Sequence, residues 1–278
     1  MGESYGAFAT YEGDDVIYAG AAGGHYDAGE GNDLIDGSSS GLGDASSQTF
    51  IGGAGNDTFI VQSVQVTVVE EKAGGTDLLQ IADPRRGMKY VMAANVDNAE
   101  LVNATDTNVT GNAIGNVNKG NAARNALYGA GGADTLRGMG GDDVLHGGNG
   151  SDVLYGGTGR DKLTGGAGAD RFVFDTKADS VANRDLVTDF ASGVDRLALS
   201  AKVFVGIGVA GGVPGSAFHA GEGVAVAHDA DDRLLYDTAS GLLRFDKDGT
   251  GVAVAVVVAQ IGVDAHPMLS AGDFLIVA

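Results

Sequence analysis

Cysteine and tryptophan are absent from this chain, and proline occurs only 3 times among its 278 residues. The lack of cysteine excludes disulfides, thiolate catalysis and cysteine-ligated metal sites. The scarcity of proline excludes collagen and proline-rich linkers. Basic residues are also few, since 17 Lys and Arg face 37 Asp and Glu and leave a formal net charge of −20. That charge opposes binding to nucleic acid, which requires a basic surface.

Long apolar runs are missing as well. The longest extends from Val252 to Val258, far short of the roughly 18 residues that span a bilayer, so we expect no transmembrane segment. The first residues, Met1 to Ala9, contain neither the basic nor the apolar region of a secretory leader, and we expect no N-terminal signal peptide. Hydrophobic residues nevertheless make up 44% of the chain, which is enough to build a buried core.

Glycine and aspartate are the residues in excess, with 48 Gly and with Asp providing 30 of the 37 acids. From Gly111 to Val173 the sequence divides into seven consecutive nonapeptides, three of which read GGNGSDVLY, GGTGRDKLT and GGAGADRFV. The sixth position is Asn in the first two nonapeptides and Asp in the other five. The eighth position is Asn118 in the first nonapeptide and apolar in the other six: Leu127, Leu136, Leu145, Leu154, Leu163 and Phe172.

A second, less regular array occupies the N-terminus. AGEGNDLID and GGAGNDTFI keep the nine-residue pattern, and a six-residue insertion, Gly37 to Leu42, lies between them. The acids at the sixth position of this array are Asp15, Asp33 and Asp57. Because Gly24 and Gln48 stand at the sixth position of the intervening repeats, we expect a row of carboxylates on one side only.

The nine-residue period has a physical interpretation. Two nonapeptides form one coil of 18 residues with two glycine-rich turns and two short strands, and adjacent coils stack about 4.8 Å apart. Calcium–oxygen distances are about 2.3–2.6 Å, so stacked carboxylates such as Asp134 and Asp152 can hold one ion between them. A single GGxGxD sequence could equally be a glycine turn whose Asp makes a local hydrogen bond. Several copies in register with an apolar ladder favour calcium binding.

These nonapeptides resemble the G-G-x-G-x-D-x-U-x repeats of the RTX family, the hemolysin-type calcium-binding repeats. The resemblance implies an all-β fold, a parallel β-roll with several Ca²⁺ ions between its turns, and ligands from the sixth-position Asp and the backbone of the first four turn residues. The implied carboxylate ligands are Asp134, Asp152 and Asp170 in one row, Asp143 and Asp161 in the opposite row, and Asp15, Asp33 and Asp57 in the N-terminal array. The implied backbone ligands are Gly129, Gly131, Gly132, Gly138, Gly140, Gly141, Gly147, Gly148, Asn149, Gly150, Gly156, Gly157, Thr158, Gly159, Gly165, Gly166, Ala167 and Gly168, with Gly31, Gly52, Gly53 and Gly55 in the N-terminal array. Asn116 and Asn125 carry no charge and are expected to bind weakly or not at all.

Before the main roll, GTDLLQ and YVMAANVDNAELV resemble the lead-in of the serralysin-like C-terminal modules of type I secreted proteins, and FDTKADSVANRDLVTDFASGVDRLALS after the roll resembles their exit segment. We divide the chain into an N-terminal ragged array (1–60), a strand-rich connecting segment (61–110), the main roll (111–173) and a β-rich C-terminal cap (174–278). Three acids that follow the roll fit a solvated turn better than further ligands: Asp179, Asp185 and Asp189. The final DFLIVA resembles the uncleaved C-terminal signal of type I secretion, and the alternative is an edge strand that closes the domain.

Catalytic motifs are missing from the sequence. It contains no HExxH, and GSSSG at 37–41 matches G-x-S-x-G only formally, because the strand and helix that a nucleophile elbow needs are not predicted around Ser39. We therefore expect no enzyme but a secreted, extracellular calcium-binding protein that folds on calcium binding after type I export. The expected partners are the type I ABC transporter and cell-surface or matrix polysaccharide. The alternative is a non-catalytic C-terminal folding and secretion module of a larger secreted metalloprotease, lipase or alginate epimerase.

Overall fold

The computed structural model describes residues 6–20, 23–38, 47–72 and 74–278. Ser39 of the GSSSG sequence lies outside the described residues. The described chain is a parallel β-solenoid of about 12 turns, which confirms the all-β parallel roll expected from the nonapeptides. Two short 3-10 turns lie at Gly215–Ala217 and Ala271–Asp273, and no helix among the described residues is long and apolar enough to cross a bilayer.

Twenty-six short strands follow one another along the described residues. The N-terminal strands are β1 (Gly6–Ala9), β2 (Val16–Tyr18), β3 (Gly24–Glu30), β4 (Leu34–Asp36), β5 (Gln48–Ala54), β6 (Thr58–Val61) and β7 (Val66–Val69). The central strands are β8 (Leu78–Ile81), β9 (Met88–Val91), β10 (Asn98–Leu101), β11 (Thr107–Thr110), β12 (Val117–Lys119), β13 (Ala126–Gly131), β14 (Thr135–Arg137), β15 (Val144–Asn149), β16 (Val153–Tyr155), β17 (Lys162–Ala167) and β18 (Arg171–Phe174). The C-terminal strands are β19 (Asp185–Val187), β20 (Arg196–Ser200), β21 (Gly211–Gly212), β22 (Phe218–Gly221), β23 (Leu234–Asp237), β24 (Leu242–Phe245), β25 (Val256–Ile261) and β26 (Phe274–Val277).

From β1 to β20, successive strands alternate between the two faces of the solenoid. One face is a single 12-stranded sheet that contains the even-numbered strands from β2 to β20 and ends with β26 and β21. The other face is divided into a four-stranded sheet, β1-β3-β5-β7, and a 10-stranded sheet that runs from β9 through the odd-numbered strands to β19 and then to β25, β24, β23 and β22. The even face therefore passes without a break through the connecting segment. The division into four segments remains a prediction.

The core is a ladder of apolar side chains between the two faces. On one face Leu127 pairs with Leu145, one coil of 18 residues further along, and on the other Leu136 pairs with Leu154. All six apolar eighth-position residues of the main roll are fully buried, and each such leucine or phenylalanine contributes about 1.5–3 kcal/mol by its removal from water. Asn118 occupies the same ladder and is fully buried as well.

Irregular coil lengths are absorbed in the turns and leave the strand stacking intact. Ile35 pairs with Phe59 across an interval of 24 residues, and Phe59 pairs with Leu79 across 20. The extra residues lie outside the strands, so the buried side chains keep their register. This constant register matters for function because it also stacks the residue immediately before each strand, which lies two positions before the buried ladder residue.

The C-terminal cap closes the end of the solenoid. β23 and β24 form an antiparallel hairpin in which Leu234 pairs with Phe245. β26 pairs in parallel with β20 and antiparallel with β21, so the chain's final strand lies inside the sheet and not at its edge. The ring of Phe274 in β26 packs against Phe218 with centroids 5.1 Å apart.

Candidate metal centre

The sixth-position aspartates of the even face form one continuous column. The backbone N–H of Asp134 donates to Oδ1 of Asp152 across 2.8 Å, and the N–H of Asp152 donates to Oδ1 of Asp170 across 2.9 Å. The N–H of Asp170 in turn donates to Oδ1 of Asp195 across 2.9 Å. Each carboxylate is thereby fixed to the turn of the preceding coil. The structure brings together the three residues that the sequence placed in this row, and adds Asp195, which sequence reasoning missed.

The opposite face carries a second column. The N–H of Asp143 donates to Oδ1 of Asp161 across 2.8 Å, and the N–H of Asp161 donates to Oδ1 of Asp185 across 3.1 Å. Asp185 is 6% exposed, so the expectation of a solvated turn is wrong for this residue. Asp179 and Asp189 are exposed, as expected. The nine-residue period did not place Asp185 in this column, because it follows Asp161 by 24 residues and not by 18.

The N-terminal array has the single column that its sequence predicts. Backbone N–H groups link Asp15 to Asp33 across 2.7 Å and Asp33 to Asp57 across 2.8 Å. The column then continues into the connecting segment, from Asp57 to Asp77 across 2.9 Å and from Asp77 to Asp97 across 2.8 Å. Sequence reasoning missed these last two residues because their spacing is 20. An Asp two positions before a buried strand residue is the signal that identifies them.

The second carboxylate oxygen in these columns is buried without a hydrogen-bond partner. Among the described residues this holds for Oδ2 of Asp33, Asp57, Asp134, Asp143, Asp152 and Asp161. These six side chains are at most 2% exposed. An ionised oxygen that is buried and unpaired costs several kcal/mol unless a cation or a proton compensates it. The columns are therefore built for a positively charged ligand.

First-position glycines leave the space into which these oxygens point. A Cβ on Gly129 would collide with Oδ2 of Asp134 and with the carbonyl oxygen of Gly147, and a Cβ on Gly147 would collide with Oδ2 of Asp152 and with the carbonyl of Gly165. A carboxylate oxygen and a backbone carbonyl of the next coil thus converge beside each glycine. Oxygen donors of both kinds are those that calcium prefers.

The remaining predicted turn ligands lie in the same turns. The second and fourth positions are left-handed glycines in the best-matching repeats, for example Gly148 with φ of 114° and Gly150 with φ of 138°. Third-position residues such as Asn149 and Thr158 have exposed side chains, so only their backbone faces the turn. These positions agree with a ligand role for the backbone, which remains a prediction.

Burial shifts the acidity of the column carboxylates. Burial raises the pKa of Asp134 to about 6, against the lowering effect of the Asn116 N–H, and the neighbouring Asp152 raises it further. Burial raises the pKa of Asp143 to about 8, with the N–H of Asn125 lowering it and Asp161 raising it. Burial thus favours the protonated form of Asp134 and Asp143 when no cation is bound.

Asn116 changes this arrangement in the first coil of the main roll. Its Nδ2 donates to the carbonyl oxygen of Asp97 across 3.0 Å, and its Oδ1 accepts from the N–H of Asn112 across 3.0 Å. The Nδ2 of Asn112 donates to the carbonyls of Ala93 and Val96 across 2.7 and 2.8 Å. Side-chain amides here donate to carbonyl oxygens of the turns. In the aspartate coils a cation would take the place of these donors. The structure thus gives a physical reason for the weak binding expected of this residue.

The opposite turn of the same coil is closed in the same way. The Nδ2 of Asn121 donates to the carbonyl of Thr105 across 3.1 Å and to Oδ1 of Asn103 across 2.7 Å. The Nδ2 of Asn125 donates to the carbonyl of Thr107 across 3.0 Å. We name the coil at 111–128, closed by these four asparagines, the asparagine coil. It is a structural element whose hydrogen bonds do not require an ion.

The fold and the columns together define a class of protein: a parallel β-solenoid whose glycine turns present stacked, unpaired carboxylates to a cation. Comparison with known families agrees. The RTX calcium-binding nonapeptide repeat matches in four copies, at residues 25–40, 42–60, 119–154 and 146–180. This chain carries the calcium-binding repeats of the RTX family. No catalytic family is evident in the chain.

No curated protein sequence matches the chain. Among solved structures, the chain is similar to the solution structure of the AlgE6R3 subunit of the mannuronan C5-epimerase of Azotobacter vinelandii, at 25% sequence identity. The match covers 70% of this chain and 86% of that one, with a TM-score of 0.26.

Proposed function

We propose that this chain is a calcium-binding protein whose β-roll folds when the carboxylate columns take up calcium. The observation that carries the proposal is the set of six buried Oδ2 atoms without partners. Those of Asp134 and Asp152 point into the space beside a first-position glycine. In the main roll the ions would be held by Asp134, Asp152 and Asp170 on one face and by Asp143 and Asp161 on the other, with backbone oxygens of the adjacent glycine turns. Bound calcium supplies the positive charge that these oxygens lack.

Folding and binding are coupled through the same atoms. Without calcium the stacked carboxylates repel one another or must hold protons, and the many glycines make ordering of the turns costly in conformational entropy. With calcium the binding free energy becomes folding free energy, as in other metal-dependent domains. Extracellular calcium modules bind with dissociation constants of about 10⁻⁴–10⁻³ M. The roll therefore responds to the calcium concentration of its surroundings.

This coupling suits a protein that is exported before it folds. A chain that stays unfolded at low intracellular calcium can pass through a type I ABC transporter and then fold outside the cell, where calcium is abundant. The C-terminal DFLIVA supports this route because it resembles a type I signal, although in the folded protein Phe274 and Ile276 are buried. The signal would be accessible only before folding. Cell-surface or matrix polysaccharide remains the proposed extracellular partner.

Calcium titration of the metal-free chain tests the proposed function. We expect far-UV circular dichroism to show a cooperative gain of β-structure as calcium is added, and isothermal titration calorimetry to show several ions bound per chain. Magnesium at the same concentration is the control, because its octahedral preference disfavours these irregular turns. A circular dichroism spectrum that does not change between chelator and calcium would contradict the proposal.

A further inference from the structure

A group of three acids lies where the N-terminal array meets the connecting segment. We propose that Asp57, Glu70 and Asp77 form a separate site for one Ca²⁺ ion, which we name the junction site. Two of its three carboxylates, those of Glu70 and Asp77, lie outside the nonapeptides. The proposal rests on the proposed function only in the choice of calcium as the ion.

The three carboxylates converge in the interior of the protein. Each offers one oxygen, and these oxygens all lie within 4.8 Å of one another. Asp57, Glu70 and Asp77 are 1%, 7% and 1% exposed. None of the ion pairs found among the described residues involves any of the three. A concentration of negative charge at this depth requires a compensating ligand.

Glu70 is the residue that distinguishes this site from an ordinary acidic cluster. Both of its carboxylate oxygens are buried without a hydrogen bond of good geometry, although the backbone N–H groups of Glu71 and Gly53 lie close enough to lower its pKa against the effect of burial. Oδ2 of Asp57 is also without a partner. Asp77 already uses Oδ1 to accept the N–H of Asp57 across 2.9 Å, which fixes its position beside the other two. The unpaired oxygens are therefore held in place by the fold and not by contacts with one another.

The register of the coils explains why a glutamate reaches this point. Ile51 in β5 pairs with Val69 in β7, so Glu70 stands one coil beyond Gly52, where the repeats have their first-position glycine. A Cβ on Gly52 would collide with both Oε1 of Glu70 and Oδ2 of Asp57. The two unpaired oxygens thus point to the same place, and Gly52 provides the room for them.

The chemistry of the donors selects the ion. Carboxylate oxygens are hard ligands that suit Ca²⁺ or Mg²⁺, whereas Zn²⁺ sites are built mainly from nitrogen and sulfur. Calcium tolerates the irregular geometry of a strand end and a turn, whereas magnesium demands a near-ideal octahedron. The competing occupant is a proton, because burial and the nearby Asp77 and Asp57 raise the pKa of Glu70 to about 8. The variant Glu70→Gln distinguishes a bound calcium ion from a bound proton, because the Gln amide is neutral, like a protonated carboxyl group, and lacks the negative charge that calcium would bind.

Counting bound ions in the full-length chain tests the junction site. Calcium is removed by chelation, and the number bound at saturation is measured by equilibrium dialysis and atomic emission. We expect Glu70→Gln to bind one ion fewer than the wild type and still to show the calcium-induced gain of β-structure. The control is Glu71→Gln, which removes the adjacent exposed carboxylate and should leave the ion count unchanged. Should Glu70→Gln not fold, Asp77→Asn decides, because its amide oxygen can still accept the Asp57 N–H.

The outcomes for the junction site and for the columns are separable. If folded Glu70→Gln or Asp77→Asn binds as many ions as the wild type, the junction site is wrong and the site holds a proton. Asp152→Asn reports on the columns instead, and we expect it to lose ions while the junction site stays filled. A wild type that binds a single ion, lost in Glu70→Gln and kept in Asp152→Asn, would leave the junction site intact and overturn the proposed function.

Discussion

Asp143 and Asp161 stand one coil apart, and the backbone N–H of Asp143 donates to Oδ1 of Asp161 across 2.8 Å. This bond uses Oδ1 of Asp161, and the backbone N–H of Asn125 uses Oδ1 of Asp143 in the same way. The other oxygen remains for a ligand, since Oδ2 of both residues is buried without a partner. The same residue therefore serves the fold and the site. One carboxylate oxygen aligns the coils and the other is available for a ligand. Replacing Asp by Asn keeps the oxygen that aligns the coils and removes the negative charge, so the two roles can be tested separately.

Asp143→Asn should weaken calcium binding without disturbing the coil. The amide oxygen of Asn can still accept the Asn125 N–H, which donates to Oδ1 of Asp143 across 2.7 Å, but the negative charge is lost. We expect the calcium concentration at the folding midpoint to rise by roughly tenfold, equivalent to about 1.4 kcal/mol. Circular dichroism during a calcium titration measures this midpoint.

The matched control changes the neighbouring acid. Asp142 is exposed, and its Oδ1 accepts the N–H of Arg160 across 3.0 Å, a bond that Asn can also make. Asp142→Asn should move the folding midpoint by less than about twofold, since exposed charges contribute little. Equal shifts in the two variants would show that only net charge matters and would contradict a specific role for the column.

The stability of the metal-free chain should depend on pH, and saturating calcium should abolish that dependence. The folded-state pKa values of Asp134, about 6, and Asp143, about 8, lie above the ordinary value of 3.8. The stability of the metal-free roll is thus fully present below the ordinary pKa and is lost as the pH rises through these values. We expect the metal-free chain to gain β-structure between about pH 8 and about pH 5, where protons replace calcium.

Calcium must displace those protons, so its affinity should increase as the pH rises from about 5 to about 8. Melting temperatures measured at several pH values, with and without saturating calcium, give both trends. The difference between the two curves should widen as the pH rises. A difference that is independent of pH would show that the columns are already ionised before calcium binds.

How far the sequence predicts this protein can be judged from individual positions. The nine-residue period predicted the stacking of Asp134 on Asp152 and the burial of Leu145, because equal spacing places equivalent residues on the same side of successive coils. The period could not predict Asp77 or Asp195, whose spacing departs from 18 where longer turns protrude from the solenoid. It also could not predict Glu70, because only strand pairing reveals that this glutamate replaces a glycine.

Asn118→Leu should stabilise the protein. Asn118 is fully buried in the apolar ladder next to Leu136, and neither atom of its amide group has a hydrogen-bond partner. Replacing a buried, unpaired amide by an apolar side chain removes a desolvation penalty of about 1–3 kcal/mol. Chemical denaturation in saturating calcium measures the free energy of unfolding. Asn116→Leu is the control and should destabilise, because the Asn116 amide makes several hydrogen bonds.

Gly150→Ala should destabilise the roll, whereas Gly131→Ala should not. Gly150 has a φ of 138°, and an added Cβ would collide with the carbonyl oxygen of Gly132 in the preceding coil. Such a left-handed position costs an L-residue about 1–3 kcal/mol, before the clash is counted. At Gly131 the nearest atom to an added Cβ is Cα of Ala113 at 3.8 Å, an ordinary contact. Equal melting temperatures for the two variants in saturating calcium would contradict this interpretation.

The asparagine coil should keep its order longest when calcium is removed. Asn112, Asn116, Asn121 and Asn125 satisfy turn carbonyls with their own amide groups, whereas the coils from Asp134 onward leave carboxylate oxygens unpaired. Removal of calcium therefore takes the compensating charge from the aspartate coils, whereas the asparagine coil loses no ligand. Hydrogen–deuterium exchange measured with calcium and with chelator should show a large loss of protection at 129–173 and a smaller loss at 111–128. Asn112→Ala and Asn121→Ala together should abolish that difference, because the freed carbonyls would then depend on water or an ion. Uniform loss of protection in the wild type would show instead that the roll opens as one cooperative unit, with the asparagine amides contributing no independent stability.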